Sequence, residues 1–98
     1  MTSDRKIFID EAPGWLWRAI RAQYADARID GDGNTLQLLA LETGQANLHR
    51  PTNVGVCLGC LPDGTMPWPC RQAGHLLRRH RGEVGWRPHW DELIEGEA

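Results

Sequence analysis

No uninterrupted apolar run in this 98-residue chain approaches the roughly 20 residues that cross a bilayer, so no transmembrane helix is expected. The opening stretch MTSDRKIFIDEAPG lacks the apolar segment of a secretory signal, and a cytoplasmic protein is expected. Lysine is almost missing: Lys6 stands alone beside ten arginines, a skew that points to a GC-rich coding sequence before it points to chemistry. Phenylalanine and tyrosine occur once each, so the aromatic content rests on five tryptophans. A net charge of −2 provides no global attraction to nucleic acid or to an acidic membrane. The length suits one core and not two, and residues 1–98 read as a single domain.

Helical periodicity comes next. Pro13, after Asp10 and Glu11, suits the first turn of a helix. Leu16, Ala19, Ile20, Tyr24 and Ala27 then recur at helical spacing, which predicts an amphipathic helix over about 13–28. Ile7, Phe8 and Ile9 ahead of it read as a short strand or an N-terminal anchor. Asp30-Gly31-Asp32-Gly33-Asn34 has the alternation of a calcium loop, but Thr35 stands where glycine is needed and Leu41 where a bidentate carboxylate is needed. A turn that caps the next helix is the better reading. Leu36, Leu38, Leu39, Leu41 and Leu48 predict a largely buried helix over about 35–48, with a strand over 35–41 as the competing assignment. A third helix is expected over about 69–81, opened by Pro69, and a short helical tail over 91–95.

The three cysteines lie within residues 57–70, which favours metal ligands over a disulfide framework. Cys57-Leu58-Gly59-Cys60 is a C-x2-C pair, and Cys70 follows at the expected start of the third helix. Three thiolates leave tetrahedral zinc one ligand short. His75 is nearest, yet at 100° per residue it lies about 140° around a helix from Cys70. His49 ends the leucine-rich helix and would tie together that helix, the C-x2-C knuckle and the third helix. Both remain candidates on spacing, whereas His80 and His89 lie farther off. One structural zinc is therefore expected on Cys57, Cys60, Cys70 and either His49 or His75. The fold expected is mainly α: a small domain of about three helices with a zinc knuckle, a short β-hairpin there being left open. Its zinc-binding core spans about 48–81.

His49-Arg50-Pro51, Cys57-x2-Cys60 and Trp68-Pro69-Cys70 together resemble the H-x-P…C-x2-C…W-P-C pattern of small zinc-finger-like proteins of actinobacteria and their phages. The resemblance covers about residues 48–77, a third of the chain, and implies His49 as the histidine ligand. The stretch Pro62–Met66 is longer than in many such sequences.

No catalytic residue is expected. The zinc-deaminase order is absent, because neither His49 nor any cysteine is followed two residues on by glutamate. No Ser-His-Asp or paired-carboxylate arrangement and no small-molecule substrate are inferred. Non-catalytic binding is the expected function, as an adaptor or regulator acting on a host protein or transcription-type complex. Residues 65–90 hold Arg71, Arg78, Arg79, Arg81 and Arg87 against the single Glu83, whereas the tail 91–98 is acidic. Arg71, Arg78, Arg79 and Arg81 are thus candidates for phosphate contact, the alternative being nucleic-acid binding by the helix at 70–81. Trp86 and Trp90 are read either as core or as aromatic anchors for a protein partner. Trp15 and Trp17 alternate around a helix start, so one of them is expected to be exposed.

Overall fold

A computed structural model describes residues 4–52, 55–60 and 67–95, with Glu95 described by its backbone alone. Among the described residues four helices follow in chain order: α1 (Asp4–Asp30), α2 (Gly33–Leu48), α3 (Arg71–Arg79) and α4 (Trp90–Glu95). The domain is mainly helical, and among the described residues the extended pairing is limited to two antiparallel bridges, Pro51 with Cys57 and Val56 with Pro67. Of the hairpin left open from the sequence, the described residues show these two bridges. The Pro62–Met66 stretch falls outside the described residues, as do the last three residues of the acidic tail.

Helix α1 begins nine residues before the expected start, and Pro13 lies inside it. The reason is burial. Phe8, Ala12, Trp15, Leu16, Ala19, Ile20 and Ala27 form one inward stripe that continues through the proline. An interior proline costs about 3 kcal/mol. Complete burial of a phenylalanine side chain offsets most of that, at about 1.5–3 kcal/mol. Phe8 and its neighbours are accordingly helix, not strand.

The end of α1 is set by Gly31, whose φ of 71° lies in the left-handed region. Its N–H donates to Arg28 O at 3.3 Å and that of Asp32 to Ala27 O at 3.0 Å, the two bonds of a Schellman cap. Asp32 then caps α2, its carboxylate accepting from the Thr35 N–H at 3.1 Å and hydroxyl at 2.6 Å. Chiefly the Thr35 hydroxyl holds the Asp32 carboxyl below its usual range, with the Thr35 N–H acting in the same direction. The Asp-Gly segment is thus a capping turn.

Helix α2 occupies nearly the expected residues but is far from buried. Leu39 and Glu42 are its fully buried residues, whereas Leu38, Leu41 and Leu48 are exposed. Leucine content alone does not identify the face that packs. In α3, Ala73, Gly74, Leu76 and Leu77 turn inward as its short amphipathic pattern requires. That helix starts at Arg71 with Cys70 as N-cap, two residues later than expected, after a cis Trp68–Pro69 peptide bond.

The tryptophans explain the scarcity of other aromatics. Phe8 lies 5.4 Å from Trp68 and 5.6 Å from Trp90 between ring centres, and Trp15, Trp86 and Trp90 contact one another at 5.2–5.3 Å. Trp15 donates from Nε1 to Val84 O at 2.9 Å. Gly85 closes over it with φ 97°, and a Cβ there would come within 2.9 Å of the Trp15 ring. Four of the five tryptophans therefore build one aromatic layer beneath α1.

A buried polar group crosses the core. Glu42 Oε2 accepts from Arg79 Nε at 2.7 Å and meets His80 Nε2 at 3.1 Å, while Gln23 Nε2 lies 2.7 Å from His80 Nδ1. One imidazole tautomer, with the proton on Nε2, satisfies both of its contacts. The set joins α1, α2 and the C-cap of α3. His80→Ala should cost about 1–3 kcal/mol, because the buried Glu42 keeps Arg79 but loses a hydrogen-bond partner. Chemical denaturation of the variant checks this, and a loss under 1 kcal/mol would show that water replaces the ring.

Candidate metal centre

His49, Cys57, Cys60 and Cys70 converge, their ligand atoms all lying within 4.8 Å of one another. His49 is the C-cap of α2, Cys57 precedes and Cys60 ends a single 3-10 turn at Leu58–Cys60, and Cys70 is the N-cap of α3. His49 Nδ1 stands 3.4 Å from Cys57 Sγ, 3.4 Å from Cys70 Sγ and 3.9 Å from Cys60 Sγ. A tetrahedral zinc with Zn–S of about 2.3 Å and Zn–N of about 2.05 Å requires N···S edges of about 3.6 Å. The three distances straddle that value. His49, Cys57 and Cys70 are buried and Cys60 is half-buried. The donor set and its spacing fit one zinc ion.

The surrounding backbone holds these donors in place. Pro51 pairs with Cys57, Leu58 N donates to Arg50 O at 2.9 Å, and Cys60 N to Cys57 O at 3.4 Å. Trp68 N donates to Gly55 O at 2.8 Å, and the Trp68 indole donates to His49 O at 2.8 Å. Trp68 is thereby tied to the backbone of a ligand residue, its Nε1 satisfying a buried carbonyl. Arg5 in turn donates to Trp68 O at 2.9 Å, which links the start of α1 to the knuckle.

Gly59 is required for a different reason. A Cβ at that position would stand 2.5 Å from Leu48 O and 2.9 Å from His49 Nδ1. The knuckle can therefore press against the end of α2 only without a side chain there. Gly59→Ala should displace His49 and weaken zinc binding at least about 10-fold, an effect of the size seen when groups supporting a metal ligand are lost. Competition with a chromogenic chelator measures this, and an unchanged affinity would disprove the close approach.

Burial, then hydrogen bonding with the Cys70 and Cys60 thiols, pushes the metal-free Cys57 thiol up from 9.0 to about 12. A raised thiol pKa contributes stability that is present below the unfolded value and lost as pH rises through the folded one. Zinc offsets the cost of a buried thiolate by binding it, so zinc-loaded protein should lose stability as pH falls and protons compete with the metal for the sulfurs. Thermal melts of the zinc-loaded protein across acid pH test this.

The remaining sequence candidates are placed differently. His75 is exposed on α3, away from the cluster, because Ala73, Gly74, Leu76 and Leu77 take the inward face. His80 serves the Glu42 group. Trp90, offered as a partner anchor, is buried, and Trp86 is half-buried against Trp15 and Trp90, so both are core. Arg79 is engaged by Glu42, Arg78 and Arg81 approach Asp91 Oδ1 at 3.7 and 3.9 Å, and Arg71 is exposed. Arg87 pairs with Glu11 at 3.0 Å. Much of the basic charge read from the sequence is thus answered by carboxylates, including Asp91 from the acidic tail. No pattern in the sequence pointed to Glu42 and His80 as a pair, although a lone glutamate in a leucine-rich helix was a weak signal.

Next to the metal centre lies an open cleft of about 480 Å³, lined by Pro13, Gly14, Trp17, Asn47, Arg50 and Trp68 among others. Trp17 is 43% exposed, whereas Trp15 is 4% exposed. Arg21 lies over the Trp17 ring, 4.6 Å from its centre. Among the described residues no helix is long and apolar enough to cross a membrane.

Comparison of the chain with protein-family models, with curated proteins and with solved structures finds no match. The metal centre therefore rests on its own geometry.

Proposed function

We propose that the protein is a non-catalytic adaptor or regulator in which one structural zinc holds a protein-binding cleft in shape. Trp17 carries this reading. It is the exposed tryptophan in a chain whose other four pack into the core, and it lines a cleft whose wall includes His49 and Trp68. Tryptophan and arginine are the residue types that most often anchor interfaces. Trp17 and Pro13 offer an apolar seat, and Asn47 and Arg50 offer polar contacts at its edge. A peptide segment with an apolar side chain beside a carboxylate suits that combination. Four protein donors complete a tetrahedral zinc, which supports a structural and not a catalytic ion. Action on a host protein or transcription-type complex belongs to the same proposal, and so does a phage origin, which the sequence resemblance suggests.

A photoreactive residue at position 17 tests the reading in cells that express the protein. A crosslinked protein partner is expected, and it should be lost when Arg50→Ala is added while zinc content is unchanged. Nucleic-acid binding is the outcome that would displace this proposal. It would appear as affinity for duplex DNA that falls with salt at a slope of about −0.9 per phosphate contact. The engagement of Arg79, Arg81 and Arg87 by carboxylates weighs against it.

A further inference from the structure

The outward side of α2 is exposed among the described residues. Leu38, Leu41 and Leu48 are 42%, 70% and 52% exposed. At 100° per residue they lie within about 80° of one another, with Leu41 and Leu48 about 160–180° around the helix from the buried Leu39. Leu38, Leu41, Gln45 and Leu48 follow alternating steps of three and four, the spacing of a helix-pairing seam. Glu42 is the one charged residue of α2, and it is buried. The exposed surface of the helix is therefore entirely uncharged.

Gly44 adds an independent observation. It lies mid-helix, where glycine is unfavourable, and a Cβ there would meet nothing within 4 Å. Packing within the monomer gives no reason for it. It sits between Leu41 and Leu48 on the outward side, where a missing side chain lets another backbone come close.

We propose that this face pairs with α2 of a second copy of the chain, antiparallel, about a two-fold axis near Gly44 and Gln45. Leu41 and Leu48 are equidistant from that axis, so Leu41 of each copy meets Leu48 of the other. One surface thus complements itself, as an isologous contact requires. The absence of exposed charge lets two identical faces meet without repulsion. The ends favour the antiparallel sense: Asp30 and Asp32 precede α2 and Arg50 follows it, so each acidic end lies toward the partner's basic end, with helix dipoles opposed. Leu38, Leu41 and Leu48 do not line the Trp17 cleft, so Leu41→Glu tests dimerisation without altering that cleft, whereas Arg50 belongs to both surfaces.

Sedimentation equilibrium of the zinc-loaded protein across a concentration series is the test. A reversible monomer–dimer equilibrium is expected, in the micromolar range that a small interface supports. Leu41→Glu should weaken it at least about tenfold, since the two-fold places both substituted residues in the contact. Val84→Glu, at a residue 96% exposed elsewhere, should leave it unchanged. Gly44→Ala should raise the melting temperature of the monomer and yet weaken the dimer, a combination a purely structural glycine does not give. A wild type that stays monomeric up to millimolar concentration overturns the proposal, and so does a dimer indifferent to Leu41→Glu or Gly44→Ala. Zinc content and the far-ultraviolet spectrum of each variant establish that folding is intact.

Discussion

Chelating the zinc is expected to abolish the fixed packing of α3 and of the described residues around the four ligands, and the near-ultraviolet signal of the tryptophans with it. Structural zinc contributes apparent binding energies of about 10–16 kcal/mol, comparable to or larger than the about 5–15 kcal/mol that separates a whole folded domain from its unfolded chain. Little else orders the segment between α2 and α3, where the described residues contain two isolated bridges and one 3-10 turn. Loss of the knuckle also releases Trp68, which packs against Phe8 and hence holds the first turns of α1. The α1–α2 hairpin, with its Schellman cap and the Asp32 cap, is the part expected to keep helical signal. Cys57→Ser should reproduce the effect, because Cys57 is fully buried and central to the cluster. Circular dichroism before and after chelation, with recovery on zinc addition, measures it. Unchanged near-ultraviolet spectra after complete zinc removal would refute the stapling role.

Replacing Trp68 should have the next largest effect. Trp68→Ala removes a fully buried indole that contacts Phe8 and donates to the His49 carbonyl, at a cost of about 3–5 kcal/mol. Trp68→Phe separates the two contributions. It keeps most of the ring but leaves the buried His49 carbonyl without its 2.8 Å donor, which should cost about 1–3 kcal/mol. Zinc affinity should fall in both variants, because the same hydrogen bond fixes the backbone of a ligand. Denaturation of the zinc-loaded proteins and chelator competition provide the two readouts. A Trp68→Phe variant with unaltered stability and affinity would show that the indole N–H is dispensable.

Residues close in sequence made the metal centre legible. The C-x2-C pair and the nearby Cys70 narrowed the ligands to three thiols and one histidine, and the His-x-Pro resemblance favoured His49. Local geometry also excluded a calcium loop, since the Asp-Gly turn needs only one residue with positive φ and one capping carboxylate. The extent of α1 was not legible in the same way. The preference of proline for a first turn is a local rule, and burial of Phe8 against Trp68 and Trp90 overrides it from residues 60 and more positions away. Nor could periodicity show which leucines of α2 face inward, because the stripe follows from where α1 and α3 lie. The Glu42–His80 contact joins residues 38 apart, beyond the reach of any spacing argument.

Metal stoichiometry of the purified protein, set beside His49→Ala and His75→Ala, tests the central claim most directly. One zinc per chain is expected in the wild type and in His75→Ala, with loss or severe weakening in His49→Ala. A folded wild type without zinc, or zinc that survives His49→Ala and is lost in His75→Ala, would contradict it.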